Sequence, residues 1–458
     1  MAKGKNSIKV RFPPSPTGFL HVGSLRTALY NFLFARQNNG QFLLRIEDTD
    51  RARLVAGAEE NIIETLQTFG LNYDNVPYRQ SEHLEKYQKY AQELLGKDLA
   101  YKDEGAIRFR MPKEGTTQIT DIIRGEVEFE NKDQEDFVLL KSDGYPTYNF
   151  AHVIDDHDME ITHVIRGEEF IPSTPKYVAL HNALGFDIPK YAHLPLLLNK
   201  ARAKLSKREG DVAVSDFLQK GYLKEALLNF VALLGWHPSY AKASEGEPEK
   251  EIFSLKELIQ EFDLSRVQKG GAIFDLDKLN WFQHIWAVRL FDGHKSQPDA
   301  HPLFARISTH FKAKFPTYEV GIFGLLWPYI IERASTPEEY AKLPDEFDFF
   351  FSDPKYEPSI LVWKKADAGS TKNALLKLKE FLQTLSDEQW GRGQLEEQVK
   401  KFIDENNLDT GTALWPLRVS LTGKEKSMGP FEILDILNRS GNREVMFQRL
   451  DKAIHSML

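Results

Sequence analysis

The segment PSPTGFLHVGS, residues 14–24, has the composition of a phosphate-binding loop at the start of a helix. A helix N-terminus offers unpaired backbone N–H groups and the positive end of the helix dipole. Gly18 and Gly23 would let a ligand approach the backbone closely, and the imidazole of His21 could donate to phosphate oxygens. The segment therefore favours a nucleotide site, although loops of this kind also occur for purely structural reasons.

A second segment, AKLSKRE at 203–209, carries the positive charge that a nucleotide triphosphate requires. Negative charge spreads over the phosphate oxygens during attack at phosphorus, and the ammonium groups of Lys204 and Lys207 would stabilise it, with Mg²⁺ bridging the phosphates. A solvated surface loop can have the same composition. Taken singly, the segment leaves both interpretations open.

The pattern around these segments predicts a parallel sheet. A parallel sheet binds ligands where the carboxyl ends of its strands meet helix N-termini. The first segment, between a strand and a helix, would lie at that edge. Strand and helix patterns alternate, with strands at 8–12, 41–46 and 159–167 and helices at 22–36, 57–70 and 174–185.

The rest of the chain changes in character. Residues 71–145 combine a helical pattern at 82–96 with strand-like pieces at 106–111 and 136–141, which indicates an insertion between two halves of the sheet. Beyond about residue 200 helical patterns dominate, as at 225–236. The sequence thus predicts an α/β part followed by a helical part.

Composition excludes several classes of chemistry. The chain has 458 residues and no cysteine, which excludes disulfides, thiolate catalysis and cysteine-ligated zinc. Its 41% hydrophobic and 28% charged residues are typical of a globular protein with several domains. No apolar run approaches the roughly 20 residues that cross a bilayer, so we expect a cytoplasmic protein without membrane contact. The net charge of -8 leaves a nucleic-acid partner undecided.

Together, HVGS at the first helix and KLSKR after the second half of the sheet resemble the paired signatures of class I aminoacyl-tRNA synthetases. Within that class, the chain resembles the bacterial glutamyl-tRNA synthetase family, most densely over 8–60, 136–240 and 417–437. The resemblance is carried by long motifs in the family's order: PPSPTGFLHVGSLRTALYNFLFAR, LLRIEDTDRAR, VLLKSDGYPTYNFAHVIDDHDMEITHVIRGEE, and KLSKREG followed by EALLNFVALLGW.

The resemblance implies a Rossmann-like parallel-sheet catalytic domain with an inserted α+β acceptor-stem domain, followed by a mostly helical stem-contact and anticodon-binding region. Many relatives carry a longer insertion after the segment equivalent to DLAYKD, some with zinc-ligating cysteines. That module is missing here, so we expect no zinc. The expected domains are 1–78 and 146–200 for the two catalytic halves, 79–145 for the insertion, 201–300 for the KLSKR loop and stem contacts, and 301–458 for anticodon binding.

The implied activity is ATP-dependent activation of L-glutamate and its transfer to the 3′ end of tRNA(Glu), with Mg²⁺ accompanying the ATP. Whether tRNA(Gln) is also charged stays open, and a monomer is the family's usual state. The catalytic groups implied are His21, Gly23, Lys204 and Lys207. The ATP contacts implied are Pro14, Thr17, Gly18, His21, Gly23, Ser24, Leu205, Ser206 and Lys207. The glutamate contacts implied are Arg11, Ser15, Glu47, Tyr148, His152 and Arg166.

Some residues admit two interpretations. Arg333 stands where the family often has an arginine near the anticodon, and a surface charge at a helix end is the alternative. His152 and Phe170 replace the asparagine and tryptophan that many relatives carry. Asp155 and Asp156 have the appearance of a metal pair, but we expect them to have a structural role at a strand end.

Three other functions are weighed against this one. A paralogue that attaches glutamate to a modified tRNA base is typically short, whereas this chain continues through 301–458. A glutaminyl-type enzyme binds a neutral amide, which suits Arg166 less well than a charged substrate. A non-catalytic tRNA-binding paralogue would not need His21, Lys204 and Lys207 intact. ATP–pyrophosphate exchange with glutamate separates this last function from the main hypothesis.

Overall fold

A computed structural model describes residues 7–205, 213–238, 250–364 and 366–457. The chain forms two compact units, Met1–Gln283 and His284–Leu458. Within the described ranges, no helix is both long and apolar enough to cross a membrane. The finer domain boundaries expected from the sequence stay predictions.

Strands and helices alternate at the start of the first unit and again over residues 148–194, as the sequence pattern predicts, with a run of strands between these parts. Its strands are β1 (Lys9–Phe12), β2 (Gln41–Ile46), β3 (Tyr78–Arg79), β4 (Ala100–Asp103), β5 (Ala106–Phe109), β6 (Thr116–Asp121), β7 (Gly125–Glu130), β8 (Phe137–Leu140), β9 (His163–Gly167), β10 (Lys190–Leu194), β11 (Leu197–Leu198) and β12 (Ala272–Ile273). Its helices are α1 (Val22–Gln37), α2 (Ala58–Thr68), α3 (Leu84–Gly96), α4 (Tyr148–Asp158), α5 (Thr174–Leu184), α6 (Val214–Lys220), α7 (Lys224–Ala232) and α8 (Leu255–Glu261), and α9 (Leu276–Gly293) contains the boundary between the units.

Two parallel groups of strands form the predicted sheet. In the first group β1 pairs with β2, and β2 pairs with β3, all in parallel. In the second group β9 pairs with β10 in parallel. The groups adjoin where the Thr162 N–H donates to the Lys9 carbonyl oxygen at 3.0 Å, and the Lys9 N–H donates to Thr162 Oγ1 at 3.0 Å. The carboxyl ends of β1 and β9 therefore lie at one edge.

A hairpin from the predicted insertion extends this sheet. β6 pairs in parallel with β10, with Tyr191 opposite Asp121, and β7 pairs with β6 in antiparallel fashion. A second part of the insertion forms a separate antiparallel sheet in the order β4-β5-β8. The sequence indicated strand-like pieces here but did not indicate that the hairpin pairs with the catalytic sheet.

Helix α4 corrects one expectation. The sequence placed Asp155 and Asp156 at a strand end and started the next strand at residue 159. Both aspartates instead lie inside α4, and β9 begins only at His163. Phe150, Ala151, Val153 and Ile154 are buried in the core beside α3 and α5, and this apolar face is why the segment is helical despite its charges.

The second unit is helical. Its core is rich in aromatic rings: Phe304 and Phe323 have centroids 4.9 Å apart, and Phe311 and Phe323 have centroids 5.0 Å apart. These rings bury a large apolar area at each contact. The helices are α10 (Phe304–Lys314), α11 (Val320–Ile331), α12 (Leu343–Glu346), α13 (Ala368–Thr384), α14 (Arg392–Glu405), α15 (Thr410–Thr422), α16 (Pro430–Arg439) and α17 (Arg443–Ser456).

Candidate active site

A cavity of about 620 Å³ opens at the carboxyl edge of the sheet, where β1, β2 and β9 end beside the start of α1. It is lined by most of the described residues that the sequence predicted for the site. Those residues are Arg11, Pro14, Ser15, His21, Gly23, Ser24, Glu47, Tyr148, Arg166, Lys204 and Leu205. Thr17, Gly18 and His152 are described but are not among the lining residues, and Ser206 and Lys207 lie outside the described residues.

Lys204 and Leu205, the described residues of the KLSKR segment, line the same cavity as the start of the first helix. The Leu205 N–H donates to the Leu197 carbonyl oxygen of β11 at 2.9 Å. Further along the chain, Ala213 forms a backbone bridge with His21, and the Val214 N–H donates to the Leu20 carbonyl oxygen at 2.9 Å. Leu205 and Ala213 therefore both lie near the start of α1.

The start of α1 is shaped by His21 and Gly23. His21 is the N-cap, and its Nδ1 accepts the backbone N–H of Ser24 at 3.2 Å. A side chain at position 23 would place its Cβ 3.0 Å from the His21 ring, so the ring would have to shift by a few tenths of an ångström. The start of α1, the exposed imidazole and the exposed Lys204 all line the cavity.

Two buried arginines and two buried carboxylates form a network at the cavity. Asp156 accepts from Arg11 Nε at 2.9 Å and from Arg45 Nη1 at 2.6 Å. Arg45 also donates from Nη2 and Nε to Glu47 Oε1, at 3.0 and 3.2 Å. Each of the four side chains is at most 8% exposed. Arg11 and Glu47, which line the cavity, are therefore fixed through Asp156 and Arg45, which do not.

The pKa values of the two carboxyl groups in this network are shifted in opposite directions by burial and by neighbouring charges. Burial raises the pKa of Glu47 to about 7, against the opposing charges of Arg45 and Arg11. Burial acts in the same direction on Asp156, but the charges of Arg11 and Arg45 outweigh it and hold the pKa of Asp156 below its usual range. Asp156 is therefore a fixed negative charge, whereas Glu47 titrates near neutrality.

Arg166 reaches the cavity from the end of β9. Its guanidinium lies over the rings of Tyr177, Phe170 and Tyr191, with the carbon 4.7, 5.1 and 5.5 Å from the three centroids. Its Nε donates to His193 Nε2 at 3.2 Å. Its Nη1, like Nη1 of Arg11, is buried and makes no hydrogen bond to any described residue. A carboxylate ligand would supply the acceptors for these arginines.

His152 supports the cavity wall from behind. Its ring stacks on Tyr148 at 4.8 Å, and its Nδ1 lies 2.9 Å from the Tyr148 carbonyl oxygen. Burial lowers the pKa of His152 well below its usual value, so the ring is neutral. Burial likewise raises the pKa of Tyr148, so this lining residue keeps its proton.

Several residues around the site were not assigned to it from the sequence, and Asp155 was expected only to have a structural role. Glu169 and Arg26 line the cavity, and Arg45 and His193 hold residues that line it. Asp155 accepts from the hydroxyls of Tyr78 and Tyr87 and from the Gln80 amide, at 2.7 to 2.9 Å. Arg45 and Asp155 stand in the motifs LLRIEDTD and VIDDHD. A charged residue next to apolar residues in such a motif is the signal that could have indicated their positioning role.

Arg333 lies in the second unit just after α11. Its side chain is 37% exposed, its Nη1 donates to the Tyr329 carbonyl oxygen at 2.9 Å, and its Nε is 3.5 Å from Glu346. The role near an anticodon and the alternative of a surface charge both stay predictions.

A class I tRNA synthetase catalytic domain is indicated by the parallel sheet, by the helix start that His21 caps and by Lys204 at the same cavity. The family model for the catalytic domain of class I tRNA synthetases (E and Q) matches residues 7–106 and 103–281, and the model for an anticodon binding domain matches 320–454. The chain belongs to the glutamate–tRNA ligase family within that class, as its similarity to individual relatives also shows.

Three relatives illustrate the similarity. The glutamate–tRNA ligase of Clostridium tetani is 38% identical, covering 95% of this chain and 95% of the relative. That of Chloroherpeton thalassium is 36% identical and covers 99% of each chain. A crystal structure of a glutamate tRNA ligase from Elizabethkingia meningosepticum in complex with its amino acid is 32% identical, with a TM-score of 0.82 over 99% of this chain and 100% of that one.

Proposed function

We propose that the protein activates L-glutamate with ATP and transfers the glutamyl group to the 3′ end of tRNA(Glu). The observation that carries this proposal is that one cavity is lined by His21 and Lys204 and also by Arg11, Glu47 and Arg166. A nucleotide and a small dicarboxylic amino acid would bind next to each other there.

The amino acid would be held by charge complementarity. Arg11, Arg166 and the Tyr148 hydroxyl would receive its two carboxylates, and arginine suits this because its planar fork pairs with a carboxylate through two hydrogen bonds. Glu47 and Ser15 would hold the ammonium group. Glutamine has only one carboxylate, so one of the two arginines would lack a carboxylate partner.

The nucleotide would lie against the start of α1, with Pro14, Thr17, Gly18, Gly23 and Ser24 providing the loop around it. His21, Lys204 and Lys207 would stabilise charge on the phosphates, with Leu205 and Ser206 beside them. No group of three or more acidic or histidine side chains suited to a metal occurs in the described parts of the chain. Mg²⁺ would therefore be carried mainly by the phosphates of ATP, and we propose no zinc.

The reaction then needs no protein nucleophile. An oxygen of the glutamate α-carboxylate attacks the α-phosphorus, the bond to pyrophosphate breaks, and glutamyl-adenylate forms. A ribose hydroxyl at the 3′ end of tRNA attacks the acyl carbon, loses its proton, and AMP leaves. The protein contributes positioning and stabilisation of the developing charge.

ATP–pyrophosphate exchange tests the proposal. Purified protein should catalyse exchange with glutamate in the presence of tRNA, and much more weakly with glutamine. Exchange with glutamine at the same efficiency would point to the glutaminyl-type alternative, and no exchange with either would point to a non-catalytic paralogue.

Acceptor choice, assembly and location need separate experiments. Charging of purified tRNA(Glu) and tRNA(Gln) tests whether both are substrates, and sedimentation tests the proposed monomer. The cytoplasmic location stays a prediction that imaging of a tagged chain would check.

A further inference from the structure

Arg166 is one end of a buried row of three polar side chains behind the cavity. Its Nε is 3.2 Å from His193 Nε2, and His193 Nδ1 is 2.6 Å from Asp121 Oδ2. All three side chains are at most 3% exposed. They come from the adjacent strands β9, β10 and β6, and neither His193 nor Asp121 lines the cavity.

Donors and acceptors in this row determine the tautomer of His193. A guanidinium has no acceptor, so His193 Nε2 must present its lone pair to the Nε–H of Arg166. The Asp121 carboxylate accepts, so His193 Nδ1 must carry the proton. Burial lowers the pKa of His193 although the hydrogen bond to Asp121 opposes that shift, which agrees with a neutral ring.

Asp121 is itself held rigidly at the tip of the β6–β7 hairpin. Its Oδ1 accepts the backbone N–H groups of Ile123 and Arg124 at 2.9 and 2.8 Å. Its Oδ2 accepts the backbone N–H of His193 at 3.1 Å as well as the ring N–H. A carboxylate with both oxygens engaged cannot rotate freely, so it fixes the ring of His193 in one orientation.

The aromatic rings around Arg166 do not determine how its guanidinium group is rotated within its own plane. Rings attract a guanidinium through its charge, and that attraction depends little on rotation of the group within its own plane. Two-point pairing with a carboxylate does depend on that rotation. The hydrogen bond from Arg166 Nε to His193, at 3.2 Å, is the contact that we expect to set this rotation, because it is shorter than the bond to Thr174 Oγ1, at 3.4 Å.

We propose that Asp121 and His193 are positioning residues that orient the Arg166 guanidinium for a carboxylate of the amino-acid substrate. The inference rests on the proposed function, since it assumes that Arg166 contacts glutamate. It gives the hairpin of the insertion a part in amino-acid recognition.

His193→Leu and His193→Gln test the proposal in the full-length protein with tRNA present. Leucine removes the acceptor, and loss of a hydrogen bond to a charged group should raise the glutamate KM by about 10- to 100-fold while the ATP KM stays near that of the wild type. The amide oxygen of glutamine can accept near the position of Nε2, so His193→Gln should recover part of the affinity. Calorimetric titration with glutamate should give the same order of affinities without turnover.

Asp121→Asn tests the tautomer directly. The amide N–H of asparagine would point toward His193 Nδ1 and favour the tautomer that carries its proton on Nε2. That proton would then face the Nε–H of Arg166, and the hydrogen bond between the two residues would be lost. We expect a loss of glutamate affinity similar to that of His193→Leu. His301→Leu is the matched control, because His301 is also 2% exposed but its Nε2 bonds to the Ala287 carbonyl oxygen in the second unit.

A double-mutant cycle with Arg166→Ala decides whether His193 acts through Arg166. The effect of His193→Leu on glutamate affinity should disappear once Arg166 is absent. A full effect in the Arg166→Ala background, an unchanged glutamate KM in a folded His193→Leu protein, or equal increases in both KM values would overturn the proposal. Failure of the proposed function is distinguishable, because the wild-type protein itself would then show no glutamate-dependent exchange.

Discussion

Replacing Asp156 by asparagine should strongly destabilise the first unit. The Asp156 carboxylate is 2% exposed and accepts hydrogen bonds from two guanidinium groups, those of Arg11 and Arg45. Asparagine keeps the shape but removes the charge, and its amide hydrogens would face an arginine donor. The buried guanidinium groups of Arg11 and Arg45 would then have little more than the Glu47 carboxylate as a counter-charge, and the pKa of Glu47 is itself about 7.

The size of the effect follows from the kind of interaction that is lost. Removing one partner of a buried, hydrogen-bonded ion pair costs about 3–5 kcal/mol, because the remaining charge stays buried. Asp158→Asn is a matched control on the same helix. Asp158 pairs with Lys86 at 2.6 Å, but both side chains are more than a quarter exposed, so its loss should cost at most about 1 kcal/mol.

Urea unfolding of wild type, Asp156→Asn and Asp158→Asn would measure these differences, followed by circular dichroism and by tryptophan emission. The midpoint for Asp156→Asn should fall clearly below that of the control variant at pH 7. Equal midpoints for the two variants would refute the reasoning that the network depends on a buried charge.

The pH dependence gives an independent check. The pKa of Asp156 is lowered by folding, so its contribution is present above its unfolded pKa of about 3.9 and is lost as the pH falls further. The gap between wild type and Asp156→Asn should therefore narrow as the pH falls below about 4, where Glu47, with a pKa of about 7, is already protonated in the wild type. A gap that widens below about pH 4 would contradict the assignment of a depressed pKa.

Three further predictions concern the substrates. The pKa of Glu47 is about 7, and Glu47 must be a carboxylate to bind an ammonium group. The glutamate KM should therefore fall as the pH rises from about 6 to about 8, and Glu47→Gln should abolish this trend. A pH-independent KM in the wild type would exclude a role for Glu47 in binding the ammonium group. Arg166→Ala should raise the glutamate KM far more than the ATP KM in steady-state exchange, and equal changes would count against its place in the amino-acid pocket. Lys207→Ala should lower the exchange rate by orders of magnitude while filter binding shows nearly unchanged tRNA affinity, and a near-normal rate would discredit a role in phosphate stabilisation.

The sequence predicted the elements that carry the site because local pattern determines them. KVRF alternates polar and apolar residues, and QFLLRI is mostly apolar; both patterns predict strands. Both strands are buried over most of their length, and β2 was expected at its observed bounds. α1 also begins where the pattern predicts. The β6–β7 hairpin differs: no strands were predicted at its residues from the sequence, and their pattern contains no information about which strand they pair with. Its union with β10 depends on residues about 70 positions away.

The same distinction applies to the candidate site. His21, Glu47 and Arg166 stand in short motifs whose residue types suggest their chemistry. Asp156 and His193 were not recognised as positioning residues, because their partners are 145 and 27 residues distant in sequence. The role of a buried charged residue can be assigned only when its partner of opposite charge is known. The periodicity of the sequence does not identify that partner.

The cap on α1 has a consequence for how the enzyme responds to nucleotide. In the structure the His21 ring accepts the Ser24 amide hydrogen, so the chain itself satisfies a group that a phosphate would otherwise engage. A phosphate arriving here would have to displace an internal competitor whose bond is worth about 1 kcal/mol. Amide hydrogen exchange at Ser24 should consequently slow when ATP is added, which makes this one amide a local reporter of occupancy.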